Sequence, residues 1–342
     1  MSSVASYSAN PPSRALQGIL CVEIGMLFFV GQDAMMKSLL AIYPVWMLIS
    51  IRALVTVILM VPAILILGKP HRLLTPLWPL HLLRALLFSV GFSLFYAAFP
   101  FMGLAEVTTI FFAAPLMTAL LAAFWLKETI GIHRISALVV GFAGVVIAMN
   151  PAGDTFTWIV ILPLISALTY AISQIIARQI GDRESTLTVG LYTLAPAGIM
   201  ILVMGWTLNQ LVDFGPEFSH LRWAFPSEAL TDIPHLFFLG AIGMAGYTLL
   251  SRAYQIANAS LVAPFDYTYL PMAGVLAYVM WREIPPTATL IGMSLIILSG
   301  LYIGYREVAN SRKSNDQTVL AEAVFAPGNP LPPQGANDED MT

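Results

Sequence analysis

Apolar residues in this chain come in long unbroken runs rather than in alternation with polar ones. Ten runs stand out, at about 17–40, 44–67, 78–100, 104–125, 134–150, 157–178, 187–207, 233–254, 260–281 and 287–305. A helix of roughly 20 residues crosses a hydrocarbon core of about 30 Å. Membrane β-strands are shorter and alternate lipid-facing with lumen-facing positions. The pattern therefore predicts an all-α integral membrane protein with ten transmembrane helices. Most connections are short. The exception is 208–232, polar with Trp and Phe interleaved, which reads as a loop or helix lying on the membrane surface. Residues 1–16 form an N-terminal segment whose first twelve residues are polar and Ser-rich, and the first apolar run carries Asp33 and Lys37, unlike a cleavable signal core. Residues 306–342, with Pro327, Pro330, Pro332, Pro333 and the acidic Asp338-Glu339-Asp340, read as a disordered tail.

The runs repeat. Ala114 to Gly144 is an apolar stretch, a charged turn at Lys127-Glu128 and a second apolar stretch, and Leu270 to Gly300 follows the same order. Glu128 and Glu283 stand 155 residues apart, as do Lys127 and Arg282, Ala98 and Ala253, and Gly91 and Gly246; Pro115 and Pro271 stand 156 apart. Two repeats are expected, 17–150 and 157–305, of five helices each. Their relative orientation follows from the loop cations, which favour the cytoplasmic side. With the N-terminus inside, Arg14, Lys69, Arg72, Lys127, Arg134, Arg178, Arg183, Arg252, Arg306, Arg312 and Lys313 all fall inside, and only Arg222 and Arg282 fall outside. Both termini are then cytoplasmic. Five is an odd number, so the halves are expected to be inverted copies, an arrangement common in secondary transporters, whose site lies near the midplane between the halves.

Composition agrees: 58% of the 342 residues are hydrophobic and 10% charged, against about 25% charged in soluble domains. The net charge of −3 says little, because the charges are sorted by loop. Cys21 is the only cysteine, which excludes an internal disulfide and a thiolate metal site. The five histidines are scattered at segment edges; H-E-x-x-H and the phosphate-cradling G-x-x-x-x-G-K-[ST] are both absent. These absences weigh against an enzyme, an ATPase and a bound cofactor. A membrane enzyme and a receptor or scaffold are the alternatives to a transporter. The partners expected are the lipid bilayer, a small organic solute and protons, with no nucleic acid; the pattern is silent on oligomeric state.

Pro115 to Glu128 followed by Gly141 and Gly144 is echoed by Pro271 to Glu283 followed by Gly292 and Gly300. Together with Asp33-Ala-Met-Met-Lys37, Arg52 and Leu83-Arg84, this resembles the EamA family of the drug/metabolite transporter superfamily over about residues 17–305. The resemblance implies ten helices, alternating access and a small organic substrate. Members export amino acids and related metabolites; others take up S-adenosylmethionine or riboflavin. The long 208–232 loop departs from the compact family pattern.

Charges at membrane depth cost at least about 2.5–3.5 kcal/mol on insertion scales, so each requires a reason. Asp33 and Lys37 are four apart, on one helix face, and read either as a self-contained bridge or as a cavity wall, with Arg52 placed to join Asp33. At a separation of 141 residues their counterparts are Gln174, Arg178 and Thr193, so the charge is concentrated in the first half. A symmetric scaffold does not require that asymmetry, which favours substrate-facing roles. Asp266 lies between Pro264 and Pro271, where the helix is expected to be broken. Tyr96, Phe112, Tyr254 and Tyr267 are candidates for an aromatic lining, and Asp33 and Asp266 for proton sites. Structural roles are expected for six others. Arg84 reads as a snorkelling or capping cation, Glu128 and Glu283 as turn residues, and Pro115 and Pro271 as repeat markers. Glu106 reads as a carboxylate complementing the start of its helix.

Overall fold

The computed structural model describes residues 12–67, 74–125, 131–151, 153, 157–180, 183–226, 229, 231–257 and 259–311. The chain ends outside 12–311 and the Lys127-Glu128 turn lie outside these residues. All regular structure among them is helical: α1 (Pro12–Leu39), α2 (Val45–Leu67), α3 (Trp78–Ala97), α4 (Leu104–Phe111), α5 (Ala113–Trp125), α6 (Ile132–Met149), α7 (Ile161–Ile180), α8 (Thr186–Leu211), α9 (Ile233–Ile256), α10 (Ala259–Val262), α11 (Tyr269–Trp281) and α12 (Thr287–Ser311), with short 3-10 turns between some of them. Nine spans among the described residues are long and apolar enough to cross a membrane, α4 and α5 together forming one of them. The outer helices run past the apolar pattern, α1 beginning at Pro12 and α12 reaching Ser311.

The ninth expected run, 260–281, is not a continuous helix. It folds as α10, a 3-10 segment at Ala263–Thr268 and then α11. The break expected around Asp266 is therefore present. A second break, at Phe112 between α4 and α5, lies at the equivalent place of the first half. A proline follows both. Pro115 is the third residue of α5 and Pro271 the third of α11. A proline ring clashes with the carbonyl four residues back and removes one N–H donor, so a first turn accommodates it best; Pro62 and Pro196 nevertheless lie inside the unbroken α2 and α8.

The contacts between helices come in pairs related by the repeat. The α1–α9 contact is matched by α7–α3, α2–α9 by α8–α3, and α1–α11 by α7–α5, while α2–α8 and α6–α12 each pair an element with its own counterpart. The molecule is thus a helical bundle with pseudo-two-fold symmetry whose halves interdigitate. Glycine makes the closest approaches possible. A Cβ on Gly144 would lie 2.8 Å from the Gly292 carbonyl oxygen, and one on Gly292 would lie 2.4 Å from the Gly144 oxygen. Such small-residue contacts hold helices together where lipid offers no hydrophobic drive.

The long connection after α8 folds back onto the end of the bundle. The Trp46 indole donates to the Leu221 carbonyl at 2.8 Å, the His220 ring meets the Ala97 carbonyl at 3.1 Å, and the Tyr43 hydroxyl donates to Asp232. Tyr43 has its repeat counterpart in Glu184, which meets His81 at 2.6 Å. One polar tie therefore links the α1–α2 connection to the start of α9, and the other links the α7–α8 connection to the start of α3.

Candidate functional site

Three helix faces converge inside the bundle. On α1, Phe29 and Asp33 are four residues apart; on α2, so are Arg52 and Thr56; on α3, Phe88, Phe92 and Tyr96 rise one turn at a time. Residues at i and i+4 share a face, so each helix presents a short polar–aromatic stripe. The stripes line a cavity of about 90 Å³ with residues of α7, α8 and α9, among them Ser166, Thr169, Tyr170, Ser173, Thr193 and Tyr247.

At one end the Tyr96 hydroxyl donates to Asp33 Oδ1 at 2.7 Å and accepts from Arg52 Nη1 at 2.6 Å. The Tyr269 hydroxyl donates to Asp33 Oδ2. Arg52 therefore joins Asp33 through a shared phenol. Its guanidinium carbon also lies 5.2 Å from the Tyr96 ring centre, 5.5 Å from Phe92 and 5.9 Å from Phe88. Those separations are within the reach of a cation–π attraction, which is strongest where water is excluded.

The bridge between Asp33 and Lys37 does not form. Lys37 ends one turn nearer the surface and its ammonium meets Glu283 Oε1 and the Met102 carbonyl, 5.0 Å from the Trp281 ring centre. Glu283 is more than a turn residue, since its other oxygen accepts from the Leu104 N–H at 3.3 Å and ties three elements together. The turn itself is made by Arg282, which adopts a left-handed conformation with φ 57°. Glu106 accepts from the Gly103 N–H at 2.8 Å at the start of α4, as its position suggested. Lys37, Glu106 and Glu283 line a vestibule of about 770 Å³ with Phe99, Met102 and Trp281. The Asp33–Tyr96–Tyr269 knot separates this vestibule from the cavity, because Asp33 and Tyr96 line the cavity while Lys37 and Phe99, a turn further on, line the vestibule.

The remaining candidates sit apart. Tyr254 donates to Asp266 at 3.2 Å, and Phe112 lies 5.7 Å from the ring centres of both Tyr267 and Tyr269. They pack at the two helix breaks and line neither space. Tyr267 is held against Gly300, where a Cβ would lie 2.0 Å from its Cζ. Gln174 is buried and lines neither space, although its neighbour Ser173 lines the cavity. Arg84 does not snorkel. It is 0% exposed, and its Nε donates to Ser173 Oγ at 3.3 Å.

Sequence reasoning missed most of the cavity wall, yet the repeat marks it. Phe29 and Tyr170, Gln32 and Ser173, Arg52 and Thr193, and Ala53 and Leu194 are pairs at a separation of 141; Phe88 and Gly243, and Phe92 and Tyr247, are pairs at 155. Every member of these pairs lines the cavity. The cavity therefore straddles the pseudo-two-fold axis, and chemistry differs across it, with a cation facing a threonine at Arg52 and Thr193. Among the described residues no group of His, Cys, Asp and Glu is arranged to hold a metal ion.

Known proteins agree with this architecture. The S-adenosylmethionine uptake transporter of Rickettsia bellii is 28% identical over 250 residues, covering 73% of this chain and 80% of its own. The riboflavin transporter of Vibrio cholerae is 24% identical over 318 residues, covering 88% and 97%, and that of Rhizobium johnstonii is 26% identical over 237 residues, covering 68% and 72%. A crystal structure with 19% sequence identity superposes with a TM-score of 0.54 over 88% of this chain and 99% of its own, which supports the shared fold. The EamA-like transporter family matches two blocks, residues 16–150 and 157–305, which together span most of the chain. The chain belongs to the EamA-like transporter family, a family of transporters and not of enzymes.

Proposed function

We propose that the protein is a secondary transporter that moves a small polar organic metabolite bearing a planar ring across an inner membrane by alternating access. In this reading it has ten spans, counting the broken one, in two inverted halves with both termini in the cytoplasm. The observation that carries it is the aromatic cavity centred on the pseudo-two-fold axis. A cavity on that axis can open to either side when the halves exchange conformations, which is the logic of inverted-repeat transporters. At about 90 Å³ the cavity is below the roughly 300 Å³ typical of ligand pockets, so solute entry goes with an expansion from the vestibule side. Aromatic rings beside Arg52 suit a fused nitrogen heterocycle, the feature shared by S-adenosylmethionine and riboflavin, the solutes named for the relatives above. Asp33, Arg52 and Tyr96 are the proposed contacts, and Asp33 the proposed proton site.

The test is flux in liposomes reconstituted with the purified protein and no nucleotide. Uptake of labelled S-adenosylmethionine, riboflavin or an aromatic amino acid is expected to exceed that of empty vesicles at least tenfold, and to respond to an imposed ΔpH. Asp33→Asn retains two phenolic partners and is expected to transport without the ΔpH response. If every solute of the panel enters at the background rate, the transport reading is wrong; if the variant keeps its ΔpH response, Asp33 is not the proton site.

A further inference from the structure

Beside the cavity, though not among the residues that line it, is a cation with no carboxylate bonded to it among the described residues. Arg84 lies in the second turn of α3, one turn before Phe88 on the same face. Its side chain is wholly buried. Nε has one hydroxyl partner, Ser173, and Nη1 and Nη2 have none among the described residues. Glu184, the described carboxylate of the α7–α8 connection, is engaged by His81 through Oε2, and its Oε1 has no partner among the described residues. Arg52, by contrast, is coupled to Asp33 through Tyr96. A buried guanidinium with open donors is costly unless an anion reaches it.

The repeat shows that the scaffold does not need this charge. Arg84 and Leu239 are counterparts at a separation of 155, and Ser173 and Gln32 at 141. In the second half the two positions are joined by a neutral bond of a different kind, Gln32 Nε2 donating to the Leu239 backbone carbonyl at 3.2 Å, and the leucine side chain takes no part. In the first half an arginine stands at the leucine's position and bonds the Ser173 hydroxyl through Nε, which leaves Nη1 and Nη2 without partners among the described residues. Ser173 itself lines the cavity, as does Tyr170 three residues before it.

We propose that Arg84 is a second binding point of the transport site and receives a carboxylate of the solute in its open guanidinium fork. The inference rests on the transport reading and narrows the substrate to ring-bearing solutes that also carry a carboxylate. The planar fork of arginine matches a carboxylate with two parallel hydrogen bonds. Arg84 and Tyr96 are twelve residues apart, about 18 Å along a helix axis. An elongated solute would thus lie with its acid at Arg84, its ring among Phe88, Phe92 and Tyr170, and its far end towards Arg52. Complete burial keeps lipid headgroups from the fork.

The test compares benzoate with benzamide, which has the same shape and no charge, by calorimetric titration and thermal shift of the full chain in lipid nanodiscs. Benzoate is expected to bind at least tenfold more tightly than benzamide. Arg84→Gln is expected to erase that preference, and Arg84→Lys, which keeps the charge without the fork, to reduce it at least threefold. Equal binding of the two probes to the wild type, no binding of either, or a benzoate preference that survives both substitutions would overturn the proposal. Should Arg84→Gln not fold, the wild type and Arg84→Lys decide. The readout needs no transport: flux without a benzoate preference removes Arg84 alone, whereas a benzoate preference without flux removes the transporter reading and leaves the anion site standing.

Discussion

Replacing Arg52 by methionine is expected to destabilise the protein by about 3–5 kcal/mol, the range seen when one partner of a buried charge pair is removed. Asp33 would remain in place, 5% exposed, with two phenols and no cation. The three cation–π contacts would go as well. The double variant Arg52→Met with Asp33→Asn is expected to recover more than half of the loss, because the amide no longer needs a counter-charge. Unfolding temperature of the nanodisc-embedded protein reads both effects. Flux should stay at background in the single and the double variant alike, since recovered stability does not rebuild a cation in the cavity. A double variant no more stable than the single one would mean that Arg52 and Asp33 are not coupled through Tyr96.

The second large effect is expected at the α6–α12 contact. Alanine at Gly292 would set its Cβ 2.4 Å from the Gly144 carbonyl oxygen and 2.7 Å from the Ala148 Cβ. Neither neighbour is a flexible chain end that can move aside, so the helices have to separate. Overpacking of this kind costs about 1–3 kcal/mol, and more where backbone is forced to shift. Gly292→Leu is expected to prevent assembly of the two halves, seen as loss of the monodisperse peak in size-exclusion chromatography. Gly274→Ala is the control, because a Cβ there meets nothing within 4 Å, and it should leave unfolding temperature unchanged.

Much of the architecture is legible in the amino-acid pattern because apolar length and repeat spacing are local properties. Pro264 and Pro271 announce a broken helix, and Pro115 announces the matching break at Phe112 once its place in the first turn is recognised. The site is less legible because partners are chosen by tertiary packing. Lys37 lies one turn from Asp33, yet Glu283 reaches it from 246 residues away. Arg84 looks like a snorkelling residue from its distance to the helix start, yet α7 covers it. Tyr247 carries no sequence signal of its own; only its pairing with Phe92 across the repeat places it at the cavity.

Alternating access by inverted halves makes one demand that a static pocket does not. Met102 lines the vestibule, and its repeat counterpart Ala257, 155 residues later, is buried against Gly18 with 2% exposure. In a Cys21→Ser background, single cysteines at these two positions report the two openings through their labelling rates with a water-soluble maleimide. A transported solute is expected to shift the two rates in opposite directions, one rising as the other falls. Rates that move together, or that ignore a solute the protein demonstrably carries, would contradict an exchange of conformations between the halves.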